Sequence, residues 1–501
     1  MKHLWATVAT TLITLLPIVG QTESIDLSVA NKLKLMEMKH SLIDTLVYQM
    51  VDLAGPRLAG SDGMERGHRI AEKLMKEFNL TGVRTEYATS WERGGWDLEK
   101  AYAAMNTPYY YPIYPAPVGW TGSTKGLVKS EVVLIEANSK EDLLRYKGKL
   151  KGKIVLMPST SEYQINFKPL GSRHTEESLR AAVDYPMPLP TPPRRSNRPD
   201  MSPSELLLFI RAEEPAVIVN ESGDFNVPGI HFSKYRDGEK EPPCEINITL
   251  EAHGLMERLI RSGEKVTMEV DVKTRFTPKR DIMNVIGEIE GTDLKEEIVL
   301  IGAHLDSYHI TAGAGDDAAG CIVMLEAMRL LKESGVKPRR TIRIALWGGE
   351  EMGLLGSSGY INRYVYDRAQ QQPKEEFEKI SAYFNSDYGP GKFRGIYTQD
   401  NLEAHPLFTA WAKPFNDMGF TTVSNKSVGS TDHISFDRIG IPGFQFITDE
   451  LEWGRGSHRV MDTSDRLHRA DLRHNAVIAA WFAYCAAMRD NPIPRKPLFG
   501  N

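Results

Sequence analysis

From about residue 282 onward, compact apolar runs alternate with helical stretches, and this alternation constrains the fold more than any other feature of the chain. Ile298-Val-Leu-Ile301, Thr341-Ile-Arg-Ile-Ala-Leu-Trp347, Ile380 to Phe384 and Phe444 to Ile447 read as strands. Ala318 to Leu331, Glu351 to Tyr364 and Asp471 to Met488 read as helices. Strands separated by helices pair as parallel neighbours through crossover connections. The pattern therefore predicts an α/β fold with a mostly parallel central sheet flanked by helices.

The polar residues of this half follow directly after its strands. Gly302-Ala-His304-Leu-Asp306-Ser comes after the first, and Gly313-Ala-Gly-Asp316-Asp317-Ala-Ala-Gly320 opens the next helix. Gly348-Gly-Glu350-Glu351 and Asn385-Ser-Asp387 follow two further strands, and Gly456-Ser-His458-Arg-Val-Met-Asp462 lies near the end. Ligands of open α/β sheets collect at the carboxyl ends of the strands, so these segments can converge on one edge. Mixed imidazole and carboxylate donors suit zinc. His304, Asp316, Glu351, Asp387 and His458 are more than one tetrahedral ion needs, and they fit two ions bridged by a carboxylate. Asp316 is placed for the bridge, because a glycine-rich turn lets its backbone approach both ions. Taken singly, each residue has an ordinary reading: His304 as a structural histidine, Asp316 as a helix cap, Glu350-Glu351 as a solvated pair. The conjunction at successive strand ends is far more specific than any one member.

Other chemistries lack their patterns. There is no His-Glu-x-x-His, the turn at Gly313 to Gly320 is neither a dinucleotide nor a Walker loop, and Gly356-Ser-Ser-Gly359 is not a nucleophile elbow. Three cysteines in 501 residues cannot form a disulfide framework, and Cys321 and Cys485 fall in apolar helices as small packing residues. A net charge of −5 argues against a dedicated nucleic-acid binder.

The first half is organised differently. Residues 1–20, with Lys2 before an uncharged apolar run ending near Gly20, read as a secretory signal peptide. That predicts an exported protein, secreted or periplasmic, with no membrane span after cleavage. Residues 25–80 read as helical, broken by Gly55-Pro-Arg-Leu-Ala-Gly-Ser-Asp-Gly63, and the Pro- and Tyr-rich Thr107 to Trp120 reads as an extended loop. From 121 to 275 short strands, at Val132–Ile135, Ile154–Met157, Ala216–Val219 and Val266–Val270, suggest a small β-rich domain. It carries an irregular loop, Tyr185 to Ser204, with seven prolines.

The motif set resembles family twenty-eight of the metallopeptidases, the dinuclear zinc aminopeptidases and carboxypeptidases. The matches are Ala303-His-Leu-Asp306-Ser, Gly315-Asp-Asp-Ala-Ala-Gly320, Leu346-Trp-Gly-Gly-Glu-Glu-Met-Gly-Leu-Leu-Gly-Ser357, Asn385-Ser-Asp387, Thr431-Asp-His433 and His458-x-x-x-Asp462. The order of parts is similar to carboxypeptidase Q-like enzymes. That likeness implies a peptidase domain over 21–120 and 276–501, interrupted by a protease-associated domain over 121–275. It also implies two zinc ions per chain, with cobalt or manganese as substitutes. His304 and Asp387 would hold one ion, Glu351 and His458 the other, and Asp316 would bridge them. Glu350 would be the general base, Asp306 would orient His304, Asp317 would shape the backbone beside the bridge, and Asp462 would support His458. His433 would either bind a substrate carbonyl or terminus or be structural. Two departures stand out: Gly315, where the family often has another residue, and Arg459-Val-Met461 after His458.

The implied activity is an exopeptidase acting on peptides or dipeptides, with the recognised terminus and a homodimer both left open. Two alternatives remain at this level, a glutaminyl-cyclase-like aminoacyltransferase with one zinc and a non-catalytic binding ectodomain.

Overall fold

The computed structural model describes residues 25–496 apart from 138, 160, 185–200 and 223–227. The expected signal peptide and most of the proline-rich loop lie outside the described residues.

The site is built on an eight-stranded sheet. Four strands run parallel at its centre, in the spatial order Arg340–Trp347, Leu294–His304, Ile380–Asn385 and Gly443–Thr448. Thr81–Thr89 and Ile282–Ile289 extend one side in antiparallel register, and Phe393–Tyr397 and Thr422–Ser424 extend the other. The predicted parallel core is present. The sequence reading missed all four flanking strands, which carry more polar residues and are less continuously apolar.

Burial accounts for the central strands. Arg340–Trp347 and Ile380–Asn385 are buried at every position, as is Ile298 to His304, so both sheet faces are covered. Strands buried on both faces read as continuous apolar runs. On one face pack Ala319–Ser334 and Arg469–Met488, and Ile43–Val47 joins them. The other face is closed by Tyr360, Ile361, Val365, Phe436 and Ile441. The helix Asp62–Glu77 starts where the Ser61 hydroxyl accepts from Met64 N, and it buries Ile70, Ala71, Leu74 and Met75 against the sheet. The expected helix from Glu351 to Tyr364 is shorter: four residues of turn follow Glu350, and the α-helix spans Leu355–Tyr360.

A second eight-stranded sheet lies between the two halves of the first in sequence. Its order is Tyr111–Ile113, Gly95–Thr107, Thr267–Thr277, Val128–Leu134, Ile154–Leu156, Val217–Glu221, Glu245–Ile248 and Ala116–Pro117. It therefore takes in strands upstream of residue 121, two of them inside the segment expected to be a loop. Its own apolar cluster includes Ile154, Val219, Ile246, Met256 and Met268. Two straps tie it to the first sheet. Ser172 pairs with Leu451 while Arg173 bridges Asp449 and Asp471, each at 2.8 Å. Gly229 pairs with Arg459.

Candidate metal centre

The four central strands point the same way, so their carboxyl ends share one edge. His304 is the last residue of its strand, Glu350 and Glu351 follow the turn after Trp347, and Asp387 lies two residues past Asn385. Asp316 comes from the turn before the helix Ala319–Ser334. Gly313 is left-handed there (φ 56°), and a Cβ on it would sit 2.3 Å from Ser307 Cβ. Gly320 is equally constrained, since a Cβ would lie 2.3 Å from Ser386 O.

Asp316 stands between the two histidines. Its Oδ1 is 3.1 Å from His304 Nε2 and its Oδ2 is 3.1 Å from His458 Nε2. Glu351 Oε2 is also 3.1 Å from His458 Nε2, and Asp387 Oδ2 is 3.9 Å from His304 Nε2. Two sets of donor atoms lie close enough together to share an ion, one from His304, Asp316 and Glu351, the other from His304, Asp317 and Asp387. Thus His304, Asp316, Glu351, Asp387 and His458 come together, with Glu350 beside them.

The surrounding bonds fix these groups. His304 Nδ1 is 3.0 Å from the carbonyl oxygen of Asp306, which sets Nε2 toward Asp316. The Asp306 carboxylate accepts from Glu350 N at 3.0 Å and Glu351 N at 3.2 Å, so it shapes the glutamate turn as well. Asp317 accepts from His304 N at 3.3 Å and Gly320 N at 3.0 Å. Beneath Asp387, Gln445 donates to its carbonyl at 2.9 Å, and Asn385 donates to Gln445 and Thr431.

One expectation needs correction. Asp462 does not bond His458; its carboxylate accepts from Gly315 N at 2.6 Å and Asp316 N at 3.0 Å, so it holds the backbone of the central aspartate. His433 is not in the cluster. Its Nε2 lies 2.7 Å from Gln399 Nε2 and 3.1 Å from Val428 O, and burial pushes its pKa down to about 4. The neighbouring Asp432 is the member of that motif within electrostatic reach of His304, Asp306 and Asp387.

Arg57 lies in the Gly55-Pro-Arg turn, where the motif pattern assigns it no role. It is fully buried, and its guanidinium donates to the carbonyls of Leu305, Met50, Gly55, Ala312 and Gly313. It clamps the loops carrying His304 and Asp316. Along the chain its only mark is a lone arginine within Gly55-Pro-Arg-Leu-Ala-Gly60. Cys321 is likewise more than packing, since its thiol donates to His304 O at 3.1 Å.

The electrostatics favour cations. Burial and the nearby Asp387, Asp432 and Glu351 carboxylates push Glu350 up to about 11, although His304 opposes them. Burial and Asp316 raise Glu351 to about 8, and burial raises Asp387 to about 6. His458 rises to about 10 beside Asp316 and Glu351, against its own burial. Among the described residues the ion pairs of Asp306, Asp316, Glu351 and Asp387 run to His304 and His458. Arg57 gives its donors to carbonyls. So many buried carboxylates with so little positive charge suit divalent metal ions.

Comparison with known proteins decides the lineage. The model of peptidase family M28 matches residues 284–483, the stretch that carries every group of the cluster. Over that stretch the chain is similar to peptidase family M28. Carboxypeptidase Q of Mus musculus is 26% identical over 455 residues, covering 89% of this chain and 86% of that protein. Aminopeptidase YwaD of Bacillus subtilis (strain 168) is 30% identical over 245 residues, 46% of this chain and 50% of that protein. The solved peptidase M28 precursor of Shewanella amazonensis SB2B shares the fold with a TM-score of 0.67 at 23% identity, over 94% of this chain and 98% of that one. The zinc aminopeptidase of Bacillus subtilis shares it with a TM-score of 0.55 at 20% identity, over 88% and 93%. On these likenesses the chain is a hydrolase of the metallo-exopeptidase class.

Proposed function

We propose that the chain is an exported, dinuclear-zinc exopeptidase that hydrolyses peptides or dipeptides, with Glu350 as general base. The observation that carries this reading is Asp316, whose two carboxylate oxygens each face a different histidine at 3.1 Å. His304 and Asp387 would hold one ion, Glu351 and His458 the other, and Asp316 would lie between them. Two such ions would supply Lewis acidity toward the scissile carbonyl and would make a water more acidic.

The chain's own groups do the rest. Glu350, one residue before Glu351 and braced by Asp306 through its N–H, accepts a proton from the attacking water and returns it to the leaving amine. In the metal-free protein Glu350 holds its proton near neutral pH, and bound cations would lower its pKa toward the working range of a general base. His304 is kept in one orientation by the carbonyl of Asp306. The segment over 121–275, with the strands before it that join its sheet, is the inserted protease-associated domain.

The relatives include both a carboxypeptidase and an aminopeptidase, and a peptide panel decides which terminus this chain shortens. Glu350→Gln is expected to lower kcat by at least about 10²-fold while zinc content stays near two per chain. Full activity of that variant would refute the mechanism. A panel of peptides and dipeptides, with and without chelator, identifies which end is shortened. Ammonia released from an N-terminal glutamine by a one-zinc protein would favour the cyclase alternative instead.

A further inference from the structure

One aromatic column connects the second sheet to the metal centre. Gly119, just past the edge strand Ala116–Pro117, bridges to Phe232, with Gly119 N donating to His231 O and Ser233 N donating to Gly119 O, each at 2.9 Å. The Phe232 ring stands edge-on to Trp120 at 5.4 Å and to Tyr308 at 4.6 Å. Tyr308 lies four residues past His304 and stacks on the His458 ring, with centroids 4.2 Å apart and planes 16° from parallel. The backbone runs the same way, since Ile230 N donates to His458 O at 3.2 Å and Gly229 pairs with Arg459.

His458 needs such support. It sits in the left-handed region (φ 57°), which costs a non-glycine residue energy unless its surroundings hold it there. Its side chain is 46% exposed, so the protein core does not fix the ring plane. Tyr308 covers one face of that ring while Nε2 points at Asp316 and Glu351. Offset and edge-to-face ring contacts are directional, so Phe232 sets Tyr308 and Tyr308 sets the imidazole.

We infer that the second-sheet unit positions the metal-binding residue His458 through Phe232 and Tyr308, making Phe232 a positioning residue for the ion that His458 and Glu351 hold. This rests on reading His458 as a ligand. Partners that orient a ligating histidine are worth about 10–100-fold in metal affinity.

The test titrates the chelator-stripped, full-length protein with Zn²⁺ by calorimetry. Wild type is expected to take two ions. Phe232→Ala should bind one of them about 10-fold or more weakly and leave the other unchanged, while Phe232→Tyr keeps the edge contact and wild-type affinity. Gly119→Ala provides a second perturbation that deletes no aromatic ring, because its Cβ would lie 2.6 Å from Phe232 Cδ1 and force that ring to shift. It should weaken the same ion, and it serves if Phe232→Ala does not fold. Two ions at wild-type affinity in Phe232→Ala, or in Gly119→Ala where that variant stands in, would overturn the column's role with the dinuclear reading intact. Equal weakening of both ions would overturn it too, since only one contacts His458. Fewer than two ions in wild type would overturn the dinuclear reading and the inference together.

Discussion

Asp462→Asn separates two ways of supporting the metal centre. The carboxylate accepts from two consecutive N–H groups, Gly315 at 2.6 Å and Asp316 at 3.0 Å, and the group is buried. Asparagine retains one acceptor and turns its NH2 toward the other N–H, so one charge-assisted bond is lost and a buried donor is left facing a donor. A bond of that kind contributes about 1.5–3 kcal/mol. The bonds are present without metal too, so only the part of the cost added on metal binding lowers affinity, and about 2 kcal/mol sets its ceiling at about 30-fold in zinc affinity. Because Asp316 faces both His304 and His458, both binding steps should weaken. Support of His458 alone would weaken one. The assay is competition with a zinc-binding dye at pH 7.5, above the value of about 6 to which burial and the Asp316 charge raise Asp462, so that the wild-type group is ionised. Activity at limiting zinc should fall in parallel and recover with excess zinc. Weakening of only one step, or no change in either, would refute the assignment of Asp462 to the Asp316 backbone.

Further outcomes follow from the same geometry. In the metal-free protein Glu351, Asp432 and Asp387 are raised by burial to about 8, 7 and 6, so the folded state binds protons that the unfolded chain has released. Their contribution to stability is complete below about pH 4 and is lost as pH rises through those values. The Tm of stripped protein should therefore fall by several degrees between pH 5 and pH 8.5, with the zinc-loaded form nearly flat; a stripped protein that gains stability over that range would contradict the charge reading. Arg57→Met leaves buried carbonyls without a donor and should lower stability by at least about 3 kcal/mol in urea unfolding, and Arg57→Lys should not restore it, since an ammonium lacks the planar fork. Gln445→Leu removes the donor to the Asp387 carbonyl and should cost about 1–3 kcal/mol, with the ion at His304 weakened more than its partner; equal effects on both would argue against a local role.

How much of this was legible depends on whether a residue's role is set along the chain or across it. The central strands and the helices Ala319–Ser334 and Arg469–Met488 are marked by continuous or periodic burial, and their ends mark His304, Asp316, Glu350, Glu351, Asp387 and His458. Flanking strands such as Thr81–Thr89 are half exposed and carry Arg84 and Glu86, so their composition resembles that of a loop. Asp462 could be seen to lie near the site, but its sequence proximity to His458 suggested the wrong partner. Its bonds reach residues 146 and 147 positions away.

The same argument explains the second sheet. Four of its strands can be read from their apolar runs, but Gly229 against Arg459 and Phe232 against Tyr308 are pairings between segments far apart in sequence. No periodicity records such a pairing, because neither partner needs an unusual neighbour to form it. A chain with the same ligands and no such contact would present the same motifs and leave His458, in its left-handed backbone and half exposed, to find its orientation alone. Ligand spacing thus specifies which atoms can meet an ion, and the tertiary contacts behind each ligand set how tightly they hold it.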